Sequence, residues 1–457
     1  MTSTHLPLFP DTPVPVPVEK TAAPHATRKT ARVQMPNRTQ LEMRASDLES
    51  LIAADHRVRL VWAFVEQLKL DALYAQVKAI EGGVGRSPIA PEILLSLWLY
   101  ATIEGVGAAR ALARLCEQHD AYRWLCGGVS VNYHTLADFR VKQGAVLDEL
   151  LTTSVASLLE VGAVTLLRVA QDGMRVRASA GSKSFRRRDR LEGFLAEAKQ
   201  RVAQLKAEVE DDPAAHSRRE QAARERAARE REQKIQAALK RLPELEQAKE
   251  RQAARGKKKV NPARTSTTDA EATIMKMPNG GYNAAYNAQF CTDTGSQIIV
   301  GVDMSSSGVD QGQMTPMLSQ LKQRYGTAPA EYLVDGGYVS GPEIDHVSAT
   351  CTVYAPLPQR GNDKLEPSVR RAQDSAGVAE WRTRMTTDEA KEIYKERAST
   401  AECVNALARE RGLTRLRVRG LAKTKSVLVL FALAHNMLRI ASLVPSLLKL
   451  PAPIPVR

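Results

Sequence analysis

The chain has few cysteines and no arrangement that would use them. The five present, Cys116, Cys126, Cys291, Cys351 and Cys403, are scattered through 457 residues, with no CxxC spacing and no histidine cluster beside them. That argues against a zinc knuckle or a disulfide framework and predicts reduced core residues in a cytoplasmic protein. A long uninterrupted apolar run is also missing. The best stretch, SVLVLFALAHNMLRIASLV, is broken by His435, Asn436 and Arg439, which leaves it short of the ~20 residues a membrane span needs and predicts a buried helix. The N-terminal MTSTHLPLFPDTPVPVPVEK has no continuous apolar segment of the signal-peptide kind, so no export is expected. Acidic residues are in deficit: 51 Asp and Glu face 65 Lys and Arg, a net +14. An excess of that size on a folded protein usually serves a polyanion, here nucleic acid ahead of a membrane surface.

What is present is enough for a sizeable core, with 43% hydrophobic and 25% charged residues. Residues 1–45 form a Pro-rich and then basic leader expected to be disordered. From 46 to 165 apolar residues recur at helical intervals (RLVWAFVEQLKL, APEILLSLWLYATIEG, ARALARLCEQHDAYRWLCGG), which predicts an all-helical domain. Its last piece, VNYHTLADFRVKQG, offers Thr135 as an N-cap with Asp138 three residues on. LLRVAQDGMRVRAS then reads as a strand with Asp172 near its centre. Residues 186–258, rich in Ala, Glu, Lys, Arg, Gln and Leu, read as a basic helical insertion, either long solvent-exposed helices or a coiled-coil hairpin, with DDPAAHS as the turn. Strand signals resume in GYNAAYNAQFCTDT and SQIIVGVDMS, joined by a turn at TDTGS. A helix (GQMTPMLSQLKQRYG), a strand (EYLVDGG), a short helix (EIDHVSA), a strand (CTVYAPL) and a long helical run (TTDEAKEIYKERASTAECVNALARERG) follow. The order predicts a mixed α/β core over 166–185 and 259–446, its sheet covered by helices, with a flexible tail at 447–457.

Asp172 and Asp335 each sit on or at the end of an apolar strand, where an unpaired carboxylate is costly. One reading makes each a simple turn former. The other brings them together on neighbouring strands around a divalent cation, which keeps both ionised. Oxygen donors without His or Cys favour Mg²⁺ or Mn²⁺ over zinc. Gly336 and Gly337 would let a phosphate or the ion's waters approach. Asp310, in SGVDQGQM, reads as an N-cap for the helix that follows. His134 and His435 read as structural.

These motifs (QDGMRVRA; GGYNAAYNAQFCTDTGSQIIVGVDMSSSGVDQGQM; YLVDGGY; EIYKERASTAECVNALARERGLTRLRVRG) together resemble the DDE transposases of bacterial insertion sequences, in the branch with a helical N-terminal domain. The resemblance runs from about residue 45 to 446. It implies an RNase H-like core in which two aspartates and a glutamate hold two divalent ions. It implies an enzyme that cuts DNA at the ends of its element and transfers the strands, acting on terminal inverted repeats and target DNA as a dimer or larger assembly. Many members carry Tyr, then Arg after two residues, Glu after three more and Lys after six more. Here Tyr394 and Arg397 keep that separation, Glu402 follows Arg397 after four residues, and Arg409 stands in the lysine position. Asp172, Asp335 and Glu402 are therefore the expected catalytic and metal-binding set, with Glu392 and Glu396 as competitors for the third place. On an ideal helix the extra residue turns Glu402 about 140° from Arg397. Tyr394, Arg397 and Arg409 are expected to hold phosphates near the cut. Arg415, Arg417 and Arg419 would share one face of a strand as a phosphate-binding stripe, or as charges guarding a sheet edge. The helical domain reads either as the DNA reader or as a plain bundle, and the insertion as a clamp, a pairing surface or a solvated face. A nuclease without strand transfer and an inactive DNA-binding descendant remain as alternatives.

Overall fold

In the computed structural model, residue 39 and residues 47–79, 87–211, 218–254, 261–358, 366 and 368–448 are described. Eight strands occur among them: β1 (Arg168–Arg177), β2 (Phe185–Arg186), β3 (Thr265–Ser266), β4 (Thr273–Lys276), β5 (Tyr282–Asp293), β6 (Ile299–Ser305), β7 (Glu331–Leu333) and β8 (Thr352–Tyr354). Six of them make one mixed sheet in the order β4-β5-β1-β7-β8, with β6 also on β5. β5 runs antiparallel to both β1 and β6, whereas β7 and β8 run parallel to β1 and to each other. The β5–β6 hairpin closes as its turn chemistry dictates: Asp293 Oδ2 accepts from Ser296 N and Oγ, and Gln297 takes the left-handed φ of 58°. β2 and β3 pair separately, at the root of the helices Arg188–Asp211 and Arg218–Ala254. Those two helices bury a small core of their own, including Leu191, Ala198, Ile235 and Leu242. The expected turn between them, at 212–217, lies outside the described residues.

The region from 57 to 160 is helical: Arg57–Glu66, Asp71–Tyr74, Pro91–Ile103, Ala109–Gln118, Asp120–Cys126, Tyr133–Lys142 and Gly144–Glu160. Pro91 opens the third of these at a position where its missing N–H costs nothing. Asn132 rather than Thr135 caps Tyr133–Lys142, accepting from Thr135 N at 2.9 Å. An amide oxygen one residue before the helix reaches that N–H, which leaves Thr135 inside the first turn.

The C-terminal helix Leu421–Leu443 joins these parts. It packs on Pro91–Ile103, on Gly144–Glu160 and on β6, and one continuous core runs through all of them. It is long and apolar enough to cross a membrane, yet most of it is buried inside the protein. The polar residues that interrupt its apolar run have structural partners. His435 Nε2 meets Gln297 O (2.9 Å), Asn436 pairs with both N and O of Ile299 (2.8 Å each), and Arg439 Nε donates to Ser296 O (3.1 Å). Together they satisfy backbone groups where the hairpin turns into β6. Four of the cysteines are buried, Cys403 is partly so, and all five are free thiols. Leu447 and Leu448, assigned above to a flexible tail, lie in the short helix Pro445–Leu448, where Leu448 is buried, and residues 449–457 lie outside the described residues.

Candidate active site

Parallel pairing of β1 with β7 sets Ala170 beside Leu333. Asp172 and Asp335 each lie two residues beyond that pair, so register alone carries both acids to the same level, just past the β1–β7 pairing. Asp172 Oδ1 accepts from Gly173 N (2.8 Å), while Oδ2 accepts from Asn405 Nδ2 and meets Arg397 Nη2, both at 3.1 Å. Burial lifts the Asp172 carboxyl above the ordinary aspartate range despite the adjacent guanidinium. Asp335 is held at a turn. Its Oδ1 accepts from Gly337 N at 2.8 Å, which makes the turn, and its Oδ2 lies 4.0 Å from Arg397 Nη2.

The third acid arrives on a helix with an irregularity. The run from 388 to 410 is an α-helix Asp388–Arg397, a π-helical turn Ala398–Glu402 and an α-helix Cys403–Glu410. The 140° divergence expected between Arg397 and Glu402 is overturned by this turn. A π turn closes i to i+5, so it accommodates the extra residue and brings the two side chains back onto one face. Arg397 Nη1 is 3.5 Å from Glu402 Oε1. The competitors face elsewhere: Glu396 is paired with Arg168, which also binds Glu331, and Glu392 with Lys395.

Three carboxylates from distant parts of the chain therefore converge on one guanidinium. Arg397 is almost buried, and although burial opposes its charge, Asp172 and then Asp335 and Glu402 hold its pKa above the usual arginine value. Among the described residues no three acidic, His or Cys side chains stand close enough together to hold an ion as placed; here the cation between them is Arg397. The surroundings nevertheless fit a hydrated hard cation. All the charged donors are oxygens, and the shell contains buried polar atoms without partners, namely Asn405 Oδ1, Asn287 Oδ1 and Arg397 Nε, which bound water would satisfy.

Asp310 is not the expected N-cap. The helix Met314–Tyr325 begins after Gln313 without a side-chain cap from its own segment. Glu343, from the helix Gly341–Ser348, accepts from Met314 N (3.1 Å), Thr315 N (3.2 Å) and Thr315 Oγ1 (2.8 Å) instead. That frees Asp310 to turn to the sheet, where Asn287 Nδ2 (2.7 Å) and Gln289 Nε2 (2.9 Å) donate to its Oδ1. Beneath it a buried polar layer ties Gln171 to Gln289 (2.8 Å) and to Tyr332 (2.6 Å), and Tyr338 to Gln289 (2.5 Å). Sequence reading missed Asn405, Asp310's orientation and this layer. Its signal was available in Gln171, Asn287 and Gln289, polar residues inside strands otherwise built for the interior.

Tyr394 is half-buried against the core, and burial raises its phenol pKa. Arg409 is exposed on Cys403–Glu410. Arg415, Arg417 and Arg419 are exposed and alternate with buried Leu416 and Val418, yet they form no strand: the segment makes a single parallel bridge, Arg177 with Arg415. Gly412 and Gly420, both at positive φ, bracket the segment and leave it too short to extend the pairing. His134 is exposed against Tyr133, and His435 is buried in the packing role already described.

Comparison with known families adds two matches. Residues 46–142 match the family described as Transposase domain (DUF772), and residues 346–441 match the family described as Transposase DDE domain. No curated protein and no solved structure matches the chain. The second match includes Arg397 and Glu402 and the π turn between them, the first covers most of the N-terminal helices, and together they support a DDE transposase of insertion-sequence type.

Proposed function

We propose that this transposase cleaves DNA strands at the ends of an insertion sequence and transfers them to target DNA, using Asp172, Asp335 and Glu402 as its catalytic and metal-binding acids. The observation that carries this reading is their convergence on Arg397 from positions as far apart as 172 and 402. A mixed sheet whose adjacent parallel strands carry two acids just past their paired residues, faced by a helix bearing the third, is compatible with an RNase H-like core. DDE transposases depend on divalent metal, and we assign Mg²⁺ or Mn²⁺, two ions per site. Such ions, when bound, polarise phosphoryl oxygen and activate the attacking hydroxyl.

The chain's own residues then have distinct tasks. Asp172, held on one oxygen by Gly173 N and on the other by Asn405, presents a carboxylate of fixed orientation. Asp335 is fixed by its own turn, and Glu402, more exposed, completes the set from the helix. Arg397 offsets part of the charge of the three acids while they are held together, and once freed its fork can clamp a phosphate. Tyr394, Arg409, Arg415, Arg417 and Arg419 hold the DNA backbone on either side. The N-terminal helices read the element's ends as part of a dimer or larger assembly, and the whole acts on DNA in the cytoplasm.

The test is incubation of the purified protein with labelled DNA carrying the gene's flanks, with and without Mg²⁺ or Mn²⁺. Metal-dependent cutting at the ends followed by joining is the expected result. Cutting without joining would leave only a nuclease, and salt-sensitive binding with no cutting would leave only a DNA-binding protein.

A further inference from the structure

A fourth carboxylate faces the same centre. Asp310 accepts two amide donors on Oδ1, which leaves Oδ2 unbonded except for Arg175 at 4.0 Å. The chain makes room for it with two glycines. A Cβ on Gly173 would stand 2.2 Å from Asp310 Oδ1 and 2.5 Å from Gln289 Nε2, so no side chain fits there without displacing the carboxylate. The corresponding point on Gly337 lies 3.0 Å from Asp335 Oδ1 and 3.8 Å from Asp310 Oδ2, so the two acids flank one small open space. Asn287 supplies an independent sign of a ligand. It is 1% exposed, its amide nitrogen is spent on Asp310, and its Oδ1 has no partner and points into the cradle 2.9 Å from the Gly173 Cβ position. A buried carbonyl oxygen left in that state calls for a donor, and the water shell of a hard cation provides one.

We propose that Asp310 is a fourth acidic ligand of the site, holding a divalent cation jointly with Asp335 in the Gly173–Gly337 cradle, directly or through that ion's water. This rests on the metal-dependent reading above, but it adds a residue to the three expected ones. Two neutral amides on Oδ1 keep the carboxylate oriented without cancelling its charge, an arrangement suited to a ligand that must remain anionic.

The test is Mn²⁺ binding to the full-length, metal-free protein, read as loss of the free-ion electron paramagnetic resonance signal, for the wild type, D335N, D310N and E396Q. The last removes one nearby charge that faces Arg168 instead of the site. The expected result is at least tenfold weaker Mn²⁺ binding in D310N and D335N and less than a twofold change in E396Q. Wild-type affinity in D310N alongside a loss in D335N would overturn the fourth-ligand assignment and leave the three-acid site standing. An equal loss in E396Q would reduce the effect to net charge and overturn it as well. No binding by the wild type would overturn both readings. Thermal unfolding in EDTA establishes that D310N is folded. Should it not be, N287A keeps the carboxylate and removes its buried support: about threefold weaker binding is expected, and unchanged binding would overturn the proposal.

Discussion

The two aspartates and the glutamate reach the same guanidinium by different means. Asp172 and Asp335 are placed by strand register, two residues past a paired Ala170 and Leu333, and a β-strand offers few ways to move a side chain short of flipping it to the other face. Glu402 is placed by a local departure from helical geometry, the π turn Ala398–Glu402. Sheet positions are therefore fixed by many cooperating hydrogen bonds, whereas the helix position depends on how one turn accommodates one residue.

The largest expected effect tests the sheet half. D172N and D335N should each lower strand cleavage by at least about 10³-fold, roughly 4 kcal/mol of transition-state stabilisation, with affinity for the element ends within about twofold in a gel-shift titration. If one aspartate tolerated the change, the two would not be equivalent partners in register.

The next tests the helix half and is asymmetric. Deleting Ser399 removes the extra residue, and a plain α-helix then sets Arg397 and the glutamate four apart on one face, so cleavage should stay within about tenfold of the wild type. Inserting an alanine after Ser399 instead rotates the glutamate by about 100°, and a loss of roughly a hundredfold or more is expected. Equal effects of the two changes would show that the π turn is incidental.

A smaller effect concerns the shared cation. R397Q leaves the acids without their buried counter-charge, so in EDTA the protein should lose about 2–3 kcal/mol of unfolding free energy, with Mg²⁺ restoring more stability to the variant than to the wild type. Comparison of urea melts with and without the metal checks this.

The smallest concerns Asp172 alone. Its native pKa is raised by burial, so the protonated form is favoured by folding. That contribution is complete below the unfolded aspartate pKa and fades as pH rises through the higher native value. In EDTA, D172N should therefore match the wild type at low pH and be at least as stable at pH 7, by about 1 kcal/mol or less. Thermal melts across pH 3 to 8 would expose the opposite trend.

The sheet half was legible because β1, β5, β6, β7 and β8 carry their own propensity, and an acid closing an apolar strand stands out. The helix half was legible only as an anomaly in spacing, since nothing in ERASTAE announces an i to i+5 turn. Asp310 was misread for a different reason. An acid just before an amphipathic helix has the local signature of a cap, and the group that does the capping, Glu343, is supplied by another helix. LTRLRVRG likewise alternates in exposure as a strand would, but it lacks a partner long enough to pair with.

The most direct measurement of the central claim is a crystal structure of the protein grown with Mn²⁺, read by anomalous scattering. A peak is expected about 2.1 Å from carboxylate oxygens of Asp172 and Asp335, with Glu402 turned toward it and the Arg397 guanidinium displaced from its place among the three. An unmoved Arg397, with no peak among those side chains at saturating Mn²⁺, would contradict it.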